Sequence, residues 1–483
     1  MAELNFLELA RDKFQAPTPG DAQPPGHVEK LQEDAGLFLR ITDAVKQAVG
    51  PGKPAAREKT DWTIAINLTT DFGSGYGVNA RMKELRDLAE KTKGTPVTLV
   101  VQAAYPSYSS WSSLISMTPD GHQLYRYIIK DGKMTMADSV KSQGYAKDTE
   151  GLLTFTGSRF DPKRLGLIMD SHGQGNKGLT GDTGKASVAE FVDAVKKGLK
   201  AIGKEKLDVL DFDCCLMSQD GVVDALKGLA SDVVASPETE HIAGQVVSGP
   251  LEKLAKNPAA TSDQVARSFV TASQDRQRAS EQMWKWLEQL GIPKGDRVLI
   301  STLSHINTRE YTDFQKNLDK FGDKMCEALK DEKSRAAIEK AIDETATYGG
   351  SGSLLFFLFG VGSKKYDLKD FTTRVVKAIE AGEIKDADGS LKASAQAVLD
   401  NRAKLVKDYF GHGRYEGLGG ISTFLPGRDL RASTRDRAES TYKAELVPKD
   451  TGWGRFRYAL VPEKKQEPNQ PGSWSSWLPW GKK

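Results

Sequence analysis

The chain has 483 residues, 39% of them apolar, enough to bury one large core or to build two or three domains. Its formal net charge is +3, with 68 Lys and Arg scattered among 65 Asp and Glu, so nothing marks a nucleic-acid-binding face. No run of about 18 apolar residues is present to span a membrane, and three cysteines, two of them adjacent, make no disulfide framework. The residues from Met1 to Phe6 lack a basic region followed by an apolar run. A reduced cytoplasm is therefore the simplest expected setting, with export by a route without a standard signal left open.

Residues 1–58 read as an accessory segment, broken by Pro17, Pro19, Pro24, Pro25, Pro51 and Pro54. Within it Leu31, Leu37, Leu39, Ile41 and Val45 would line one helix over about 28–49. The core opens with a strand at Trp62–Leu68, a glycine-rich turn (Gly73, Gly75, Gly77), a helix over about 79–93 and a buried strand at Val97–Val101. That order predicts a parallel βαβ unit. Residues 122–136 read as a strand and hairpin, and Arg164–His172 and Lys206–Asp213 as strands joined through a helix over about 188–202. A helix over 216–229 and a strand at Asp232–Ser236 follow.

The later half carries apolar residues at helical spacing over 262–278, 311–329, 335–345, 368–381 and 393–409. Strand candidates lie at 298–303, 354–359 and 420–426. The whole predicts an α/β/α sandwich around a mostly parallel sheet, with a helical C-terminal subdomain, over residues 59–430. Residues 431–483 form an extension ending in Trp474, Trp477 and Trp480, which would fold back, enter a partner's groove or sit at a membrane surface.

Two strands end on reactive side chains. The first runs into Ser171-His172-Gly173-Gln174-Gly175, the second into Asp211-Phe212-Asp213-Cys214-Cys215. Ligands in open α/β sheets bind at the carboxyl ends of the strands. A thiol nucleophile needs an acid/base partner, and a glycine beside that partner lets backbone approach closely. Phe212-Asp213-Cys214-Cys215-Leu216-Met217 resembles the Phe-Asp-Ala-Cys-Leu-Met signature of the clostripain family of cysteine peptidases. Ser171-His172-Gly173-Gln174-Gly175 resembles that family's His-Gly-x-Gly. Asp170-Ser171 departs from the family's residues before the histidine, and Cys214 stands at its alanine position.

Further likeness runs through Trp62–Leu68, Ala235–Glu240, Pro250–Pro258, Ser262–Ala266, Thr302–Ser304 and Gly419–Pro426, about residues 60–430 in all. The resemblance implies a caspase-like fold and a cysteine endopeptidase. Cys215 is then the nucleophile, His172 its partner, and the N–H groups of Gly173 and Cys215 the oxyanion donors. Asp213 would line a pocket for Arg or Lys, with Glu238 and Glu240 as further pocket candidates. Lys177 and Lys185, in the long glycine-rich loop 173–185, become candidate sites of self-cleavage.

Peptide or protein is the implied substrate, and no cofactor is required. Calcium is left open, because Asp386-Ala387-Asp388-Gly389 is only a fragment of a calcium-loop pattern, without its distal glutamate. Gly184-Lys185 lacks the spacing of a phosphate-binding loop, and the adjacent cysteines lack zinc-ligand spacing. The alternatives are acid-directed cleavage of the caspase kind and a non-catalytic, peptidase-like adaptor.

Overall fold

Apolar runs buried on both faces make the centre of the molecule. The computed structural model describes residues 56–69, 76–107, 121–240, 244–289, 302–349, 364–445 and 447–461. All but Ala56 belong to the compact unit Arg57–Lys483. The helix expected over 28–49, most of the glycine-rich turn at 73–77, the strand candidate at 354–359 and the tryptophan-rich tail lie outside the described residues.

In chain order, β1 (Glu58–Leu68) leads through α1 (Tyr76–Ala89) to β2 (Val97–Ser107) and the hairpin β3 (Gly121–Lys130) and β4 (Lys133–Lys141). Then come α2 (Tyr145–Arg159), β5 (Phe160–Asp170), the short strands β6 (His172–Gly173), β7 (Leu179–Gly181) and β8 (Gly184–Ala186), and α3 (Val188–Ile202). They are followed by β9 (Leu207–Asp213), α4 (Asp220–Leu226), β10 (Ala230–Ala235), α5 (Ser248–Lys256) and α6 (Ser262–Gln289). Next are β11 (Thr302–Asn307), α7 (Tyr311–Ala328), α8 (Glu332–Glu344), β12 (Thr347–Tyr348), β13 (Lys365–Asp367), α9 (Leu368–Glu380) and α10 (Ser390–Leu405). The described chain closes with β14 (Val406–Gly411), β15 (Ser422–Thr423), α11 (Arg428–Arg431), α12 (Arg435–Ala444) and α13 (Gly452–Ala459).

Nine strands form one sheet in the order β14-β11-β10-β9-β5-β1-β2-β3-β4. The five from β10 to β2 are parallel, and antiparallel strands flank them on both sides. Alternate side chains leave opposite faces of a strand, and the core divides accordingly. Leu165, Leu167, Met169, Leu210 and Phe212 pack with Phe191 of α3 and Phe314 and Phe321 of α7. Ile64, Ile66, Ile168 and Val209 pack with Met82 of α1, Leu251 of α5 and Phe269 of α6. These are the two helical layers of an α/β/α sandwich. Trp453 and Phe456 of α13 enter the first layer, so the chain beyond Arg431 shares the same core.

Several boundaries differ from expectation. Helix α3 runs where its pattern predicts, fixed by a capping box between Ser187 and Glu190 and by left-handed Gly203. The helix expected from Leu216 starts only at Asp220, because Leu216 takes a left-handed φ of 62°. The helix expected over 393–409 ends at Leu405, and Val406–Gly411 becomes an edge strand. Helix α2 was not foreseen. Its inner face carries Asp148, Thr149, Thr156 and Gly157 among the apolar residues, which hides its periodicity.

Candidate active site

The site begins where β5 and β9 end side by side. Their parallel register pairs Asp170 with Asp213, and the Ser171 N–H donates to Asp213 O at 3.3 Å. His172 and Cys215 each lie two residues beyond that pair, His172 opening β6 and Cys215 in the turn after β9. From there both chains bend. Leu216, left-handed, donates its N–H to Glu238 O at 3.0 Å, and Ser218 N–H donates to Ser236 O at 3.0 Å. This turn presents Cys215 at the sheet edge instead of burying it in a continuing helix.

Residues 173–185 are not an open loop. His172–Gly173, Leu179–Gly181 and Gly184–Ala186 form a small antiparallel sheet. Gln174 N–H donates to Gly178 O at 2.9 Å, so by the antiparallel alternation the Gly173 N–H turns away from β7. A Cβ on Gly173 would lie 2.0 Å from Cys215 O and 2.9 Å from Met217 Cγ. Backbone from the histidine strand and backbone from the cysteine turn are thus in contact, and only glycine permits it. Lys185 is exposed in the β7–β8 hairpin, whereas Lys177 is half-buried in a 3-10 turn.

The two adjacent cysteines face different surroundings. Cys214 is buried in the core, its thiol 3.1 Å from Met169 O and 3.2 Å from Ser171 Oγ, which in turn bonds the Tyr145 hydroxyl at 2.7 Å. Two of the positions that depart from the clostripain pattern, Ser171 and Cys214, therefore touch each other. Cys215 Sγ accepts the Glu240 N–H at 3.3 Å. Burial first, then the charges of Glu238 and Asp213, push its thiol up to about 11, against the pull of the Glu240 N–H. Burial lowers the pKa of His172.

Carboxylates crowd this edge. Asp213 is buried and already held: one oxygen meets Arg81 Nη2 at 2.5 Å and the other accepts the Gln245 N–H at 2.9 Å. Arg81, 8% exposed, also donates to Asp170 at 3.0 Å, to Glu84 at 2.6 Å and to Gln245 O at 3.2 Å. Its burial is outweighed by these three acids, and its pKa rises. Nothing in the sequence announces Arg81, which meets Asp213 across 132 residues.

Glu238, foreseen as a pocket candidate, is saturated. It accepts from the N–H and hydroxyl of Thr239, the Gly349 N–H and the Tyr415 hydroxyl. Glu240 differs. Its Oε1 accepts from Gln245 Nε2 at 2.9 Å, while its buried Oε2 has no partner among the described residues. Asp211 lies on the same strand face as Asp213 with both carboxyl oxygens buried and unpartnered among the described residues. Burial first, then nearby acids, raise the pKa values of both Glu240 and Asp211.

The calcium-loop fragment has another use. Asp386 accepts the N–H groups of Leu391 and Lys392, and Asp388 that of Ser390, so both cap α10. Among the described residues the one His/carboxylate group close enough to share an ion is Asp232, Asp263 and His305. There Asp232 already binds His305 at 3.0 Å, Ser262 at 2.5 Å and Arg309 at 3.2 Å. It lies near the start of β10, away from the carboxyl edge that carries Cys215. No described helix is long and apolar enough to cross a membrane.

The model of the clostripain family matches residues 83–454. Among solved structures, a secreted C11 cysteine protease from Bacteroides thetaiotaomicron, iotapain, superposes with a TM-score of 0.53 at 11% identity, over 83% of this chain and 99% of that one. A secreted C11 cysteine protease of that organism in complex with an irreversible peptide inhibitor gives 0.53 at 12% identity, over 80% and 98%. At these identities the likeness concerns the fold. No curated protein sequence matches. Family match, fold and the paired strand ends agree: the chain belongs to the clostripain family and is a cysteine-type peptidase.

Proposed function

We propose that the chain is an endopeptidase that cuts after basic residues with Cys215 as nucleophile and His172 as acid/base. What supports this reading is the register of Asp170 with Asp213 at the carboxyl ends of two neighbouring strands, since His172 and Cys215 each follow that pair by two residues. As substrate docks, His172 takes the thiol proton while Cys215 Sγ attacks the scissile carbonyl carbon. The N–H groups of Gly173 and Cys215 hold the tetrahedral oxyanion. His172 then returns the proton to the leaving amine, the C–N bond breaks, and water hydrolyses the thioester to free acid and thiol.

A basic side chain before the cut is supported by charge. Asp170, Asp211, Asp213, Glu84 and Glu240 gather at this edge, against Arg81 and Arg276. Acid-directed cleavage would need the opposite balance. Self-processing is read at Lys185, exposed at its hairpin, in preference to half-buried Lys177.

The test is N-terminal sequencing of peptides released from a denatured protein mixture. Wild type is expected to release peptides cut after Arg or Lys and to cut itself at Lys185. Cys215→Ala and His172→Ala should release none and stay whole, and Cys214→Ala should retain activity. Release by Cys215→Ala, or cuts after Asp or Glu, would overturn the reading.

A further inference from the structure

Two segments leave the active edge, the loop 173–177 after His172 and the turn from Cys215 into α4. Asn176 lies four residues past His172, and Gln219 four past Cys215. There the segments are joined: the Asn176 N–H donates to Gln219 Oε1 at 3.0 Å. Both residues are buried, Asn176 at 5% and Gln219 at 0% exposure. A backbone N–H can only donate, so the carbonyl end of the Gln219 amide faces it.

Glutamine is an uncommon residue for this place. Gln219 is the N-cap of α4, where a side chain ordinarily bonds the first turn of its own helix, and it makes no such bond. Its backbone is fixed on two sides. It bridges to Ser422 of β15, and its carbonyl accepts the Val223 N–H at 3.0 Å. The side chain is thus an arm held out from a rigid base. The histidine loop comes in close to meet it: Gly175 has a φ of 60°, and a Cβ there would lie 2.2 Å from Gln219 Oε1. Asn176 is held from its other end too, since its Nδ2 donates to Glu445 O at 2.9 Å. The contact of Gly173 with Cys215 O is steric and sets only how near the two segments can come. The hydrogen bond at Gln219 sets how far apart they can move.

We propose that Gln219 is a positioning residue for the reaction, holding the His172 loop against the Cys215 turn so that the imidazole stays within reach of the thiol. The assignment rests on the peptidase reading above. Buried, Gln219 touches no substrate, so its loss should lower turnover and leave substrate binding in place.

Gln219→Met keeps the length of the side chain and removes the acceptor. Peptide cleavage is expected to show kcat lowered roughly tenfold or more, with KM little changed. Gln219→Glu keeps an acceptor oxygen and should stay within about threefold of wild type. A cycle with His172→Ala separates positioning from a general structural role, read as alkylation of Cys215 by a peptidyl chloromethyl ketone ending in arginine. Gln219→Met should slow alkylation roughly tenfold when His172 is present and less than about twofold when it is gone. Equal slowing in both backgrounds, or equal loss in Gln219→Met and Gln219→Glu, overturns the assignment. Hydrogen exchange of the 172–178 segment needs no turnover, and at Asn176 it should quicken roughly tenfold or more in Gln219→Met. Unchanged exchange overturns the proposal as well. If wild type cuts nothing, the peptidase reading fails by itself, and faster exchange in Gln219→Met still supports the tie between the segments.

Discussion

Burial leaves Cys215 as a thiol and His172 as a neutral imidazole at pH 7, rather than as a standing ion pair. With the thiol near 11, the reactive thiolate is roughly one part in ten thousand at neutral pH. Alkylation of Cys215 by iodoacetamide, followed on its own peptide by mass spectrometry, is expected to be slow at pH 7 and to keep rising beyond pH 9. Asp213→Asn removes one of the charges that raise the thiol and should move that profile to lower pH. A rate already at its plateau at pH 7 would mean a preformed thiolate. Cys214 should stay unlabelled in the folded protein, because it faces Met169 O and Ser171 within the core. At this scale the position of His172 and Cys215 just past the ends of two apolar strands was legible in the sequence. The fate of Asp213 was not, because a contact with Arg81 across 132 residues leaves no local pattern.

Helices and strands position the site through a few tight contacts. Gly173 is the sharpest of them. A methyl group there meets backbone at 2.0 Å, which no side-chain rotation relieves. Gly173→Ala should lower kcat/KM about a hundredfold or more by separating the histidine strand from the cysteine turn, and should lower Tm as well because backbone must shift. Gly249→Ala is the control, since its Cβ meets Val246 at an ordinary 3.6 Å. Equal activity of the two variants would contradict the contact. Strands buried on both faces, such as Leu207–Asp213, and amphipathic helices with caps, such as Val188–Ile202, were readable from period and punctuation alone. Val406–Gly411 was not, because its apolar positions continue the preceding helical pattern and only pairing with β11 makes it a strand. The turn after Cys215 was hidden too, since nothing about Leu216 as a residue type predicts a left-handed φ.

Across the whole molecule, five parallel strands aim their carboxyl ends at one edge, and the chemistry gathers there. The α/β/α layering followed from the alternation of strands and helices. The sheet order did not, because β5 lies between β1 and β9 only through crossovers that no local signal encodes. The C-terminal helices close the same core: Trp453 stacks on Phe321 at 6.0 Å and packs against Phe371 and Phe456. The central claim is that one thiol, served by one imidazole, carries the reaction at this edge. The most direct measurement is peptide-level mass spectrometry after treatment with a peptidyl chloromethyl ketone ending in arginine. The account predicts a single adduct, on Cys215, formed at least about a hundredfold more slowly in His172→Ala. An adduct on Cys214 or Cys326, or equal rates with and without His172, would contradict it.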